Sequence, residues 1–113
     1  MNKNVLIIAW ELKTNTEAIA QGRNPSLVAA TLWSEQVLEI QPVGTNGGNI
    51  VWEWHLWDHL AQDFDAAKPN FTSIAANPQL LNLNFGASAT AEDWIHLNSI
   101  DYNPTLSFMP ISA

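Results

Sequence analysis

The feature that most constrains this chain is a turn. GTNGGN (residues 44–49) separates QVLEIQPV (36–43) from NIVWEWHLW (49–57), two runs rich in β-branched and aromatic residues. Gly and Asn supply the positive φ angles of tight hairpin turns, and the flanking runs suit a pleated surface. In the first arm Val37, Glu39 and Gln41 alternate with Leu38, Ile40 and Pro42, which is strand periodicity. Residues 36–57 therefore predict a β-hairpin.

The neighbouring segments extend that reading. NVLIIAWEL (4–12) is a continuous apolar run of the kind that fills a strand buried on both faces. TNTEAIAQG (14–22) predicts a short helix, with Thr14 or Thr16 as N-cap and Gly22 as its stop. One further helical turn is expected over 58–64, ended by Pro69. Residues 71–93, rich in Asn, Ala, Ser and Gly, predict a long loop with a turn after Asn77-Pro78. DWIHLNSIDYNP (93–104) reads as another strand, with Trp94, His96 and Asn98 on one side, and TLSFMPISA (105–113) opens one more. The fold class expected is mainly β, with antiparallel sheets, one or two short helices and a long loop.

Composition narrows the function classes. Hydrophobic residues at 47% against 13% charged argue for a folded chain, and 113 residues suffice for one domain rather than two. A net charge of −7 repels polyanions, so neither nucleic acid nor an anionic membrane is an expected partner. Cysteine is absent, which removes thiol nucleophiles, disulfides and cysteine metal sites. The apolar run from Val5 to Trp10 is closed by Glu11 and is too short for a signal-peptide core or a membrane span.

The densest chemistry is WEWHLWDHL (52–60), which holds three of the six tryptophans and two of the three histidines. On a helix, His55 and His59 would share a face beside Asp58 as a zinc pair, although HLWDH lacks the Glu of a zincin. On a strand they would not, and packed structural histidines become the simpler expectation. The tryptophans either fill the space between sheets or form a stacking platform for an aromatic ligand. His96 and Asn98, two residues apart on an expected strand, aim an imidazole and a carboxamide at one space, which suits an anionic aryl ligand beside Trp94; alternatively both bond a neighbouring loop. Asp58, Asp93 and Asp101 are candidates to orient these histidines. There is no Gly-rich phosphate loop and no G-x-S-x-G elbow. Asn70-Phe71-Thr72 is a glycosylation sequon only on a eukaryotic secretory route.

Taken together, GRNP (22–25), LWSEQVLEI (32–40), GNIVWEWHLWDHLAQDFD (48–65), NPQLLNLNFG (77–86) and above all DWIHLNSIDYNP (93–104) resemble the arylsulfotransferase-like proteins, the aryl sulfate sulfotransferase group of β-propellers. The resemblance implies transfer of a sulfuryl group from a phenolic sulfate ester to a phenol, with no nucleotide donor or other cofactor. It makes His96 the catalytic group and Asn98 and Trp94 substrate-binding, with His59 and His55 as further candidates and no metal. It is compatible with a periplasmic or secreted protein. A six-bladed propeller needs several hundred residues, so 113 residues would make about two blades, at roughly 40–50 residues each, of a single partial domain. The covalent histidine and the sulfate-binding arginine that the resemblance implies would lie further along; the only arginine here is Arg23. The alternatives are a non-catalytic propeller module for binding or scaffolding, and a small metal-binding domain using His55 and His59. Open sheet edges predict association with the rest of a propeller or self-association.

Overall fold

The computed structural model describes residues 3–27, 30–85, 92–107 and 109–112. Residues 86–91 of the expected long loop and Phe108 and Ala113 of the expected last strand lie outside the described residues. The architecture is mainly β. Its centre is a three-stranded antiparallel sheet, β1 (Val5–Thr14), β2 (Thr31–Val43) and β3 (Gly47–His55), in the order β1-β2-β3.

β2 begins five residues earlier than the alternation of 36–43 indicates, because β1 pairs along it as far as Thr14 with Thr31. The hairpin forms where the glycines and asparagines place it, with Val43 opposite Gly47 and a bulge between Glu39 and Ile40. Its outer part, residues 41–53, is exposed on both faces, including Val43, Ile50, Val51 and Trp52.

Between β1 and β2 the chain makes helix α1 (Asn15–Ala20), started by a capping box. The Thr14 hydroxyl accepts the Glu17 N–H at 3.2 Å, and the Glu17 carboxylate accepts the Thr14 N–H at 2.7 Å. Gly22, at φ +102°, ends the helix. It also lets Gln62 approach: a Cβ at position 22 would lie 2.6 Å from the Gln62 side chain.

The GRNP segment that follows is structural. The Arg23 guanidinium, 2% exposed, donates to the carbonyls of Leu83 and Leu27. The Asn24 N–H donates to Asn84 Oδ1 at 2.7 Å, and Asn84 Nδ2 donates back to the Gly22 carbonyl at 3.2 Å. These bonds tie the α1 turn to residues 83–84 across some sixty positions. Burial lowers the Arg23 pKa, and its charge is met by carbonyl oxygens and by the face of Trp94, 5.8 Å away.

Two expectations are corrected after β3. The helical turn placed at 58–64 lies earlier, as a 3-10 turn over Leu56–Asp58; Leu60–Ala61 is strand β4, in a parallel pair with β5 (Leu81–Asn82). Gln62, fully buried, bonds the backbone of Phe64, Asp65 and Pro69, giving 62–69 a turn rather than a helix. The strand expected over 93–104 has no ladder over 93–98. Asp93 makes one parallel bridge with Trp33, and only β6 (Ser99–Ile100) pairs regularly, antiparallel to β7 (Ile111–Ser112). The core gathers Ala18, Leu32, Leu56, Leu60, Leu83 and Trp94, with Trp54, Trp57, Leu81 and Ile95 packed on it. No helix among the described residues is long and apolar enough to cross a membrane.

Candidate functional site

β3 pairs with β2 only from Gln36 onward, which leaves the first residues of β2 without a partner on that side. Residues 92–98 take the vacant position. The Trp33 N–H donates to the Glu92 carbonyl at 2.8 Å, and the Leu97 N–H donates to Glu35 Oε2 at 2.7 Å. Asn98 is then secured from the other side, its N–H bonding the Ser112 carbonyl at 2.8 Å. Because the Leu97 amide is satisfied by a side chain, no ladder forms, yet His96 and Asn98 still reach one space.

That space is a cleft of about 490 Å³ lined by Ile8, Ala9, Trp10, Glu35, His96, Leu97 and Asn98. Trp10 is half exposed and has its indole 4.6 Å from that of Trp33. The His96 ring meets Trp10 edge-on at 6.3 Å. His96 Nδ1 lies 2.9 Å from Asp93 Oδ2. A carboxylate only accepts, so this contact puts the proton on Nδ1 and leaves Nε2 for a ligand. The hydrogen bond and charge of Asp93, helped by the charge of Glu35, raise the His96 pKa above 6.5 and extend the imidazolium form toward neutral pH. Asn98 Oδ1 accepts the Ser112 hydroxyl at 3.2 Å, leaving its NH₂ as a donor.

The other candidates lie elsewhere. Trp94 is a core residue, 7% exposed, with its indole N–H donating to the Phe85 carbonyl at 3.1 Å; it is not among the residues lining the cleft. His55 closes β3 and bonds Glu11 at 3.1 Å, with Glu53 at 3.7 Å. The Glu11 hydrogen bond raises its pKa. His59 stacks on Trp54, ring centres 4.9 Å apart, and lines a separate apolar groove of about 430 Å³ with Leu56, Leu81 and Ile95. Since Trp54 and His55 are consecutive on a strand they face opposite sides, so the two histidines are parted. Among the described residues no three His, Cys, Asp or Glu side chains are grouped to hold a metal ion.

Of the seven cleft residues only His96 and Asn98 are site candidates in the sequence; Trp10 and Glu35 are the chemically informative additions. Trp10 sits in an apolar run that reads as buried on both faces. Glu35 sits between buried Ser34 and half-buried Gln36, and a carboxyl at an inward position of a central strand was the available signal.

The protein-family comparison matches the family model described as Arylsulfotransferase (ASST) over residues 20–112. Neither the curated proteins nor the solved structures give a match. The matched span takes in β2, the hairpin and the His96–Asn98 segment, and leaves β1 with Trp10 outside.

Proposed function

The chain belongs to the arylsulfotransferase family, and on that premise we propose that its cleft holds the sulfuryl group of an aryl sulfate during transfer to a phenol. The observation that carries this is the sharing of one cleft by His96, Asn98 and Trp10. The His96 imidazolium presents Nε2–H to one sulfuryl oxygen and the Asn98 NH₂ donates to another, directed donors that gain strength as charge builds on the oxygens. Trp10 offers its ring face to the aryl group, a fixed wall because Trp33 braces it. The covalent histidine that the family resemblance implies is assigned to no residue here.

The sheet fits a role as part of a propeller blade within a single partial domain. The exposed apolar residues on both faces of the hairpin, Ile50, Val51 and Trp52, and the open edge of β1 would be covered by further blades or by a second copy of the chain. A second reading, a propeller module that binds without catalysing, is favoured by the burial of Arg23 on backbone carbonyls, where it offers no charge to a sulfate.

The test is sulfuryl transfer by the product of the full coding sequence. Release of 4-nitrophenol from its sulfate ester should require an added phenol and should fall at least a hundredfold in His96→Ala, by analogy with removal of one oxyanion donor (about 10²–10³). Unchanged transfer in that variant would remove His96 from the reaction.

A further inference from the structure

Glu35 is 1% exposed and forms no ion pair among the described residues. It lies on the central strand opposite Trp10 of β1. Burial raises its pKa, partly offset by the Leu97 hydrogen bond and by His96, while Asp93 adds to the rise. Those are the charged groups that face it from the 92–98 segment, and β1 contributes the uncharged Ile8, Ala9 and Trp10 to the same cleft. The ionised carboxyl is therefore held at a cost to the fold.

What it secures is specific. Its Oε2 accepts the N–H of Leu97, the residue between His96 and Asn98, at 2.7 Å. That bond anchors the backbone between two side chains whose own polar ends are held separately, His96 by Asp93 and Asn98 by Ser112. An apolar residue could fill the volume of Glu35 but would leave the Leu97 amide unpaired in a segment that has no strand ladder.

We infer that Glu35 is a positioning residue for the His96 and Asn98 pair, acting through the Leu97 amide; the inference takes from the proposed function only that this pair meets the sulfuryl group. Two opposite pH responses follow. A group whose folded pKa is raised stabilises the fold less as pH climbs from 4.5 through the folded value. The clamp does the reverse, since a charged acceptor binds the amide more strongly than a neutral one. The contribution of Glu35 to global stability, read as the difference from Glu35→Gln, should fall across the Glu35 titration while local protection of Leu97 rises.

NMR on the isotope-labelled chain reads both. In the unsubstituted protein the Leu97 amide shift should follow the Glu35 carboxyl, with protection from exchange greatest above its midpoint. Glu35→Gln keeps an acceptor oxygen and loses the charge: the fold should persist and be more stable at neutral pH, the pH dependence at Leu97 should vanish, and the His96 midpoint should move down. Glu35→Ala should cost Leu97 roughly tenfold or more in exchange protection. A Leu97 amide indifferent to the Glu35 titration, or a His96 midpoint unmoved in Glu35→Gln, overturns the inference, and both can be read even if Glu35→Ala does not fold. Failure of 4-nitrophenyl sulfate to shift His96 would instead count against the sulfuryl reading and leave the clamp to be decided by Leu97.

Discussion

Replacing Gly22 with alanine should be among the most damaging single-methyl changes in this protein. The residue has φ +102°, where an L side chain is strained by about 1–2 kcal/mol. The new methyl would also lie 2.6 Å from Cγ and Cδ and 2.7 Å from Nε2 of Gln62, closer than carbon atoms pack. Gln62 cannot simply swing away. It is fully buried, and its amide donates to the Asp65 and Pro69 carbonyls at 2.8 and 3.0 Å and accepts from the Phe64 and Asp65 N–H groups at 2.9 and 2.8 Å. At about 1 kcal/mol per bond, losing half of this set adds about 2 kcal/mol. The sum, about 3–4 kcal/mol, is a large part of the 5–15 kcal/mol typical of a whole domain. Gly44→Ala is the control, because Gly44 also has a positive φ, +65°, but nothing lies within 4 Å of its Cβ position. It should cost only the backbone strain, about 1–2 kcal/mol. Urea unfolding of both variants measures the difference. Equal losses at the two glycines would refute the Gln62 argument, and a Gly22→Ala change within about 0.5 kcal/mol would refute the whole of it.

Other perturbations test other parts. Glu11 is held below 4.5 because the Lys13 and then the His55 hydrogen bonds outweigh the opposing effect of burial, while Glu11 in turn holds His55 above 6.5. The stability due to this pair should be complete between those values, fade in acid as Glu11 protonates and fade in base as His55 loses its proton; Glu11→Gln should flatten that profile in thermal melts. Arg23→Lys should destabilise by about 1–3 kcal/mol, since an ammonium cannot reach the Leu83 and Leu27 carbonyls with one planar fork; an unchanged melting curve would count against the latch. Asp93→Asn should move the His96 titration midpoint down in an NMR titration, because the neutral amide removes the carboxylate that favours the imidazolium. Trp10→Ala should weaken aryl sulfate binding roughly two- to twelvefold, the value of an aromatic contact of about 0.5–1.5 kcal/mol, while leaving α1 and the hairpin intact by circular dichroism.

Local chemistry made much of this fold readable. The hairpin follows from GTNGGN, and α1 from Thr14, Glu17 and Gly22, because turns and caps are set by residues a few positions apart. Readability failed where the deciding bond is remote. Residues 93–98 alternate like a strand, but the Leu97 amide is taken by Glu35, sixty-two positions earlier. The two-residue β4 and β5 pair is too short for periodicity to register. At the site, His96 and Asn98 were legible as a pair, while Trp94 alternates with them in sequence and yet turns into the core. Trp10 was hidden because an apolar run does not say which of its residues stays half exposed.

The central claim, that His96 and Asn98 together receive a sulfuryl group beside Trp10, is tested most directly by adding 4-nitrophenyl sulfate to the isotope-labelled chain and following its side-chain signals. The account predicts saturable shifts at the His96 imidazole, the Asn98 carboxamide and the Trp10 indole, all lost in His96→Ala, with His55 and His59 unmoved. Shifts confined to His59 and Trp54, or none at His96 and Asn98 at saturating ester, would contradict it.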